Sequence, residues 1–412
     1  MAGVELGTAS TMACEDSLAE LAALAKGVGL EVVGRVTQRL KQIDPRTFIG
    51  RGKVAELARI ARERGATLAV FDDSLSPVQA RNLERELKLR LLDRSQLILD
   101  IFAQRARSSE GKIQVEMAQL NYLQARLTRQ WSHLSRLSAS GGAGAYVGAR
   151  GPGETQLEVD RRRARQRLAT LKHKLRAVER SRASQARRRR QDAYPVVALV
   201  GYTNAGKSSL MNALANAGVE AAARPFSTLD PIVRQIRLPS GLRVMLADTV
   251  GFIHRLPHLL IEAFKATLEE VRNASLLLHV VDLSSELRNE QIEVVDRVLD
   301  EIGAGEIPRL LVKNKADSVE CAWFKDEAND GVVVSAVSGE GLDRLRARIG
   351  DFFANWQQEV EVTLPAARAD LLSIAHRSGR VLSLECQDGM VAMRALVTPP
   401  VAARLRRAAV VG

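Results

Sequence analysis

One short stretch limits the fold of this chain more than any other. Residues 196–210 read VVALVGYTNAGKSSL: an apolar run, a loop, then an amphipathic segment. The loop has the form G-x-x-x-x-G-K-S, with Gly201, Gly206, Lys207 and Ser208 at the fixed positions. Such a loop turns a buried strand into a helix and aims backbone N–H groups at phosphate oxygens, aided by the positive helix N-terminus. Lys207 is placed to reach the β- and γ-phosphates and Ser208 to ligate Mg²⁺. The residues between and after them, Tyr202, Thr203, Asn204, Ala205 and Ser209, complete the expected cradle. At ~7% background glycine usage, a chance match somewhere in the chain is on the order of 0.02. The strand-before, helix-after context lowers it further, so an α/β core around a bound phosphate is expected.

Further elements follow in order. The apolar run LRVMLADTVGF ends in Asp248-Thr249-Val250-Gly251. Asp248 falls where a carboxylate supports Mg²⁺, and the Gly251 amide can meet a γ-phosphate. Between the two phosphate elements lies Phe226-Ser227-Thr228-Leu229-Asp230. Its Thr228 is a candidate switch residue, completing the Mg²⁺ shell through Ser208, Thr228 and Asp248 only when the γ-phosphate is present. Asn314-Lys315-Ala316-Asp317 follows a second apolar run, and Ser335-Ala336-Val337 comes after it. A carboxylate at Asp317 can accept from N1–H and the exocyclic amine of guanine; adenine presents a different edge. A P-loop GTP hydrolase is therefore expected, with GTP as substrate, Mg²⁺ as cofactor and Lys207, Thr228 and Gly251 at the reacting phosphate. The residue after DTVG is Phe252, where Ras-like GTPases carry a water-orienting glutamine. A phenyl ring cannot hydrogen-bond water, so either another group supplies orientation or free turnover is slow. A plain packing role for Phe252 is compatible with both.

Charge points to a partner. The chain carries a formal +12 over 412 residues, and residues 161–190 hold fourteen Lys or Arg and one acid, Glu179. That segment is +13, so everything else sums to about −1. Leu157, Ala164, Leu168, Leu171, Leu175 and Val178 form one apolar stripe through the basic run, arguing helix over disorder. Ile113, Met117, Leu120, Leu127, Trp131, Leu134 and Leu137 form another. Between them, six glycines fall within 141–153. Two stripes around a glycine-rich loop read as an antiparallel helical hairpin with a slender tip at 138–154. Pro152 is expected to end the loop, and Thr155-Gln156-Leu157-Glu158 to start the second helix as a capping box. The first helix is expected to run about 25 residues, or about 38 Å.

The ends are simpler. Residues 17–105 alternate helix and strand signals, as in a small α/β domain, with Gly50–Lys53 a strand-to-helix turn. Residues 358–412 read β-α-β-β-α, a ferredoxin-like α+β lobe. The expected organisation is 1–105, an N-terminal α/β domain; 106–191, the basic hairpin; 192–357, the GTPase domain; and 358–412, the C-terminal lobe. Cys14, Cys321 and Cys386 have no metal-ligand spacing and form no disulfide framework. His133, His173 and His376 form no ligand pair. No apolar run reaches the ~20 residues of a membrane span, and the first residues read as neither signal nor transit peptide. A cytoplasmic monomer is expected.

Taken together, GPGETQLEVDRR, VGYTNAGKSSLMN, FSTLDP and DTVGFIHRLPHLLIEAFKATLEE resemble the HflX family of ribosome-associated GTPases, over nearly the whole length. The resemblance implies binding of GTP and GDP and association with the large (50S) ribosomal subunit and its rRNA. It implies a hairpin tip directed at the peptidyl-transferase region, and splitting or rescue of stalled ribosomes. A role in large-subunit assembly or RNA remodelling would suit the same residues. The family also has a hydrophobic residue after DxxG, like Phe252. Three features depart from its pattern: a longer tip insert, ASGGAGAYVGA; Ser227 in place of alanine; and His254-Arg255 in reversed order.

Overall fold

The structure is a computed structural model. It describes residues 1–6, 14–139, 152–191, 194–215, 226, 232–254, 265–318, 331–354, 357–387 and 389–409. The glycines between 140 and 151 and the segment 227–230, with Ser227, Thr228, Leu229 and Asp230, lie outside the described residues. Two compact units are present, one of 1–178, 224–229 and 254–265, the other of 179–223, 230–253 and 266–412.

In the first unit, strands β1 (Ala2–Leu6), β2 (Val36–Leu40), β3 (Leu68–Phe71) and β4 (Arg90–Asp93) form a parallel sheet in the order β2-β1-β3-β4. Helices α1 (Cys14–Gly27), α2 (Arg51–Glu63), α3 (Pro77–Leu87) and α4 (Arg94–Arg105) connect and cover it. The central strand β1 lies in a segment that the sequence left without a strand. Within the strand-like run LEVVGRVTQ at 30–38, the strand forms late, at Val36–Leu40, where it pairs with β1 residue for residue. Gly50 caps the N-terminus of α2, its N–H donating to Gln38 Oε1 at 2.9 Å, so the GRGK turn opens a helix. Ser76 and Gln79 bond reciprocally at the start of α3, with Pro77 in the first turn. Beneath the sheet's carboxyl rim the Arg94 guanidinium is buried between Asp72, at 2.6 Å, and Glu20.

Helices α5 (Ser109–Ala139) and α6 (Pro152–Gln191) follow, the first 31 residues long and so longer than its apolar stripe suggested. The second begins at Pro152, one turn before the capping box. The physical reason is that proline at the first helical position gives up an N–H that has no intrahelical acceptor and brings φ already set. Tyr122 of α5 donates to Asp93 Oδ2 at 2.6 Å. Val115 and Ala118 on α5, and Leu168 and Leu171 on α6, are buried, and Arg167 forms a two-bonded pair with Glu116 at 2.6 and 3.0 Å. Phe226 also belongs to this unit. Its ring is buried 4.5 Å, centroid to centroid, from that of Phe102.

The second unit is built on a sheet in the order β10-β9-β8-β5-β7-β6. Its strands are β5 (Val196–Gly201), β6 (Ile232–Arg237), β7 (Arg243–Asp248), β8 (Leu276–Asp282), β9 (Arg309–Asn314) and β10 (Val332–Val333). All pairs are parallel except β6 with β7, an edge hairpin. Helices α7 (Lys207–Ala215), α8 (Lys265–Arg272), α9 (Arg288–Glu301) and α10 (Leu342–Phe352) complete it. The central strands β5 and β8 are buried almost end to end, as continuous apolar runs in a doubly covered parallel sheet should be.

After it come β11 (Gln358–Pro365), α11 (Ala369–Ser378), β12 (Gly379–Gln387), β13 (Met390–Val397) and α12 (Pro399–Ala408). The sheet is antiparallel in the order β11-β13-β12, with an alternating core face of Val360, Val362 and Leu364. A ferredoxin-like lobe would have four strands; this sheet has three among the described residues. Edge strand β12 carries a register break between Val381 and Ser383, and its Leu382 and Leu384 are exposed.

Candidate nucleotide site

Because β5, β7, β8 and β9 are parallel, Gly201, Asp248, Asp282 and Asn314 all arrive at one rim of the sheet. The carboxyl ends of such a sheet form the usual ligand crevice. The loop after β5 is shaped by its glycines. Gly201 has φ +149°, and a Cβ there would lie 2.2 Å from the Val280 carbonyl oxygen. Gly206 has φ +90°, and a Cβ would lie 2.2 Å from Asn314 Nδ2. Asn204, at φ 63°, adopts the left-handed conformation that asparagine tolerates better than most residues.

Lys207 opens α7 and is buried. Its ammonium donates to the carbonyls of Gly201 at 3.0 Å and Tyr202 at 2.8 Å, folding back over the loop. Burial pushes its pKa down to about 8, against the opposing pull of Asp248. A polyphosphate would give this cation anionic acceptors in place of neutral carbonyls. The next residue, Ser208, donates from Oγ to Asp248 Oδ2 at 2.6 Å. A hydroxyl and a carboxylate converging beside the cradle form a hard oxygen donor pair suited to Mg²⁺. Thr228, the third expected ligand, lies outside the described residues. Among the described residues no cluster of three or more His, Cys, Asp or Glu forms another metal site.

The turn after β7 is clipped to the cradle. Thr249 donates from Oγ1 to the Leu199 carbonyl at 2.6 Å, so its hydroxyl is committed to the backbone. Val250 is buried. A Cβ on Gly251 would lie 2.9 Å from Lys207 Nζ and 3.0 Å from Thr203 Cα, so glycine is what lets this turn approach the loop. Phe252 N–H donates to Gly201 O at 3.1 Å, and Thr203 N–H to Phe252 O at 2.7 Å. The phenyl ring is fully buried. Packing accounts for Phe252, and a ring in the core orients no water.

Asn314, Lys315, Ala316 and Asp317 form the far wall. Asn314 is buried and spends its amide inside the protein. Nδ2 donates to the Ala205 carbonyl at 2.9 Å, and Oδ1 accepts from the Ala336 N–H at 3.1 Å, tying the phosphate loop to this wall. Ser335, also buried, donates to Asp317 Oδ1 at 2.5 Å and accepts from the N–H groups of Val337 and Ser338. The Ser335 hydroxyl holds the Asp317 carboxyl below the usual carboxylate range, so it is an acceptor at neutral pH. The side chain of Val337 is exposed. Among the contacts the sequence does not announce, Lys315 Nζ donates to Asp282 Oδ2 at 2.6 Å. Asp282 ends an apolar strand, LLLHVVD, which was the only available signal.

Four family models match in order: GTP-binding GTPase N-terminal over 15–103, GTP-binding GTPase middle region over 105–189, 50S ribosome-binding GTPase over 196–315, and HflX C-terminal domain over 324–411. The chain is 44% identical over 392 residues to GTPase HflX of Caldanaerobacter subterraneus subsp. tengcongensis, covering 95% of this chain and 90% of that protein. It is 48% identical over 335 residues to GTPase HflX of Escherichia coli strain K12, covering 80% and 77%. Among solved structures it is similar to a GTP-binding protein from the archaeon Sulfolobus solfataricus in complex with GDP, at 23% identity and a TM-score of 0.44, covering 86% of this chain and 98% of that one. No described helix is long and apolar enough to cross a membrane. A glycine-shaped loop tied to a carboxylate-bearing wall, and identity of this extent along nearly the whole chain, have one common explanation: this chain belongs to the HflX family and is a GTPase.

Proposed function

We propose that this GTPase works on the large ribosomal subunit, gripping rRNA through α5 and α6 and acting through the glycine-rich segment between them. The observation that carries this reading is the +13 charge of residues 161–190. Arg162, Arg163, Arg165, Lys172, Lys174 and Arg176 are all exposed along α6. Phosphate backbones are the polyanion that such a helix fits. The family model described as a 50S ribosome-binding GTPase supports the choice of subunit. In this reading 106–191 is an antiparallel hairpin with its tip at 138–154, between an N-terminal domain (1–105) and a GTPase domain (192–357), with 358–412 as a C-terminal lobe. The protein is a cytoplasmic monomer, and the tip splits or rescues stalled ribosomes. Assembly of the large subunit is the second reading, favoured by the same basic helix.

Within the GTPase domain, Gly201 to Ser209 cradle the phosphates and Lys207 neutralises the β- and γ-oxygens. Ser208, Thr228 and Asp248 would hold Mg²⁺, which when bound adds positive charge at the same oxygens. The segment from Phe226 to Asp230 and the turn Asp248 to Gly251 report the γ-phosphate. Asn314 to Asp317, with Ser335 to Val337, select guanine. The test is co-sedimentation with purified 50S and 30S subunits and with intact 70S particles, with a non-hydrolysable GTP analogue or GDP. Analogue-dependent migration with 50S, and loss of the 70S peak, is expected. Binding to 50S without loss of 70S would favour assembly, and no co-sedimentation at physiological salt would reject both readings.

A further inference from the structure

Asp282 stands at the end of β8, directly opposite Asn314 at the end of β9. The two strand ends are locked together, since the Leu283 N–H donates to the Asn314 carbonyl at 2.9 Å. Both carboxylate oxygens of Asp282 are engaged. Oδ1 accepts from the Ser284 N–H at 3.0 Å and from Ser284 Oγ at 2.6 Å. Oδ2 accepts from Lys315 Nζ at 2.6 Å. Ser284 thus sets the carboxylate's orientation, and the carboxylate sets the lysine's.

Lys315 needs such a hold. Its backbone is in the left-handed region, φ 66°, which costs a lysine on the order of 1 kcal/mol or more. Its neighbours Asn314 and Asp317 are anchored by Ala205 and Ser335. Between these anchors Lys315 has a long stem with free rotors, about 2 kcal/mol of rotamer entropy if loose. Pairing the ammonium to a fixed carboxylate removes that freedom before any nucleotide arrives. Stems held in this way offer methylenes as an apolar surface that a purine ring can cover. The pair is mostly shielded, with side chains 26% and 16% exposed, so it is screened less than a surface ion pair.

We propose that Asp282 is a positioning residue for guanine-nucleotide affinity, acting through Lys315. The inference rests on the guanine-pocket reading above. It touches neither phosphate nor base, so its effect is on how long either nucleotide stays, not on the chemical step.

The test is a double-mutant cycle on the full chain, with fluorescent GDP and a fluorescent non-hydrolysable GTP analogue as probes. Asp282→Asn keeps the shape and the Ser284 contacts but removes the charge. It is expected to weaken both nucleotides about tenfold, mainly through faster dissociation, with the loss in KM rather than kcat. Lys315→Gln breaks the same pair from the other side and serves as a second variant should Asp282→Asn fold poorly. The double variant is expected to bind no more weakly than Lys315→Gln alone. Additive losses in the double variant, or wild-type affinity in Asp282→Asn, would overturn the inference. Failure of the wild-type chain to bind either probe would instead overturn the pocket itself.

Discussion

On the proposed reading guanine selection depends on Asp317 and Ser335, and the hydroxyl that holds the carboxyl ionised also fixes its direction. Asp317→Asn turns one acceptor oxygen into a donor amide, which complements the 2-oxo group of xanthine rather than the 2-amino group of guanine. Competition binding is expected to show preference moving from GTP to xanthosine triphosphate, and an unchanged GTP preference would remove Asp317 from the pocket. His279, within β8, tests burial instead. Its pKa is pushed down to about 4, chiefly by desolvation, with Arg309 and Lys207 adding repulsion. Above pH 6.5 it is neutral folded or unfolded and contributes nothing. As pH falls toward 4 the unfolded chain takes up a proton that the native state refuses, so stability drops by on the order of 3 kcal/mol. Thermal melts from pH 7 to 4.5 should therefore fall more steeply for the wild type than for His279→Leu. The G-x-x-x-x-G-K-S and NKAD loops could be read because each is local, with its own spacing. The Asp282 contact and the Thr249 bond to Leu199 could not, since they depend on which strand lies beside which.

At the scale of elements, long periodic helices and fully buried strands were legible, and short or polar edges were not. The strand β1 has five residues, AGVEL, too few to show a period. The edge strand β6, IVRQIR, carries arginines and a glutamine because one of its sides is open. The capping box places the start of α6 one turn late, because a proline can open a helix as well as end a loop. That helix also separates two kinds of contact. Leu171 is 1% exposed and should cost about 2–5 kcal/mol when truncated to alanine. Arg167 pairs with Glu116 in the open, with side chains 50% and 40% exposed, and such pairs contribute about 0–1 kcal/mol. Denaturant unfolding is expected to show a large loss for Leu171→Ala and almost none for Arg167→Ala. The reverse order would mean that the arginine pair, not the apolar stripe, holds α6.

For the molecule as a whole, the net positive charge is concentrated in residues 161–190 of α6, so on the proposed reading rRNA affinity and GTP hydrolysis should be separable. Each neutralised phosphate contributes about 0.7 to 0.9 to the slope of log K against log salt. If α6 makes about four such contacts, reversing Arg161, Arg162, Arg165 and Arg187 to Glu should flatten that slope by about three. Free GTP binding should persist, since the cradle is built from other elements. An unchanged slope would make the basic face a solvated surface only.

The break in β12 has a consequence for handling the protein. An edge strand with exposed leucines is a template on which further copies can stack, and an extra residue that bends the strand spoils the template. Removing Leu382 should straighten the edge and leave a flat row of unpaired amides. Light scattering at storage concentration is then expected to report growing particles where the parent chain stays monodisperse. One surplus residue, with no part in nucleotide chemistry, would in that case set the concentration at which this GTPase can be kept in solution.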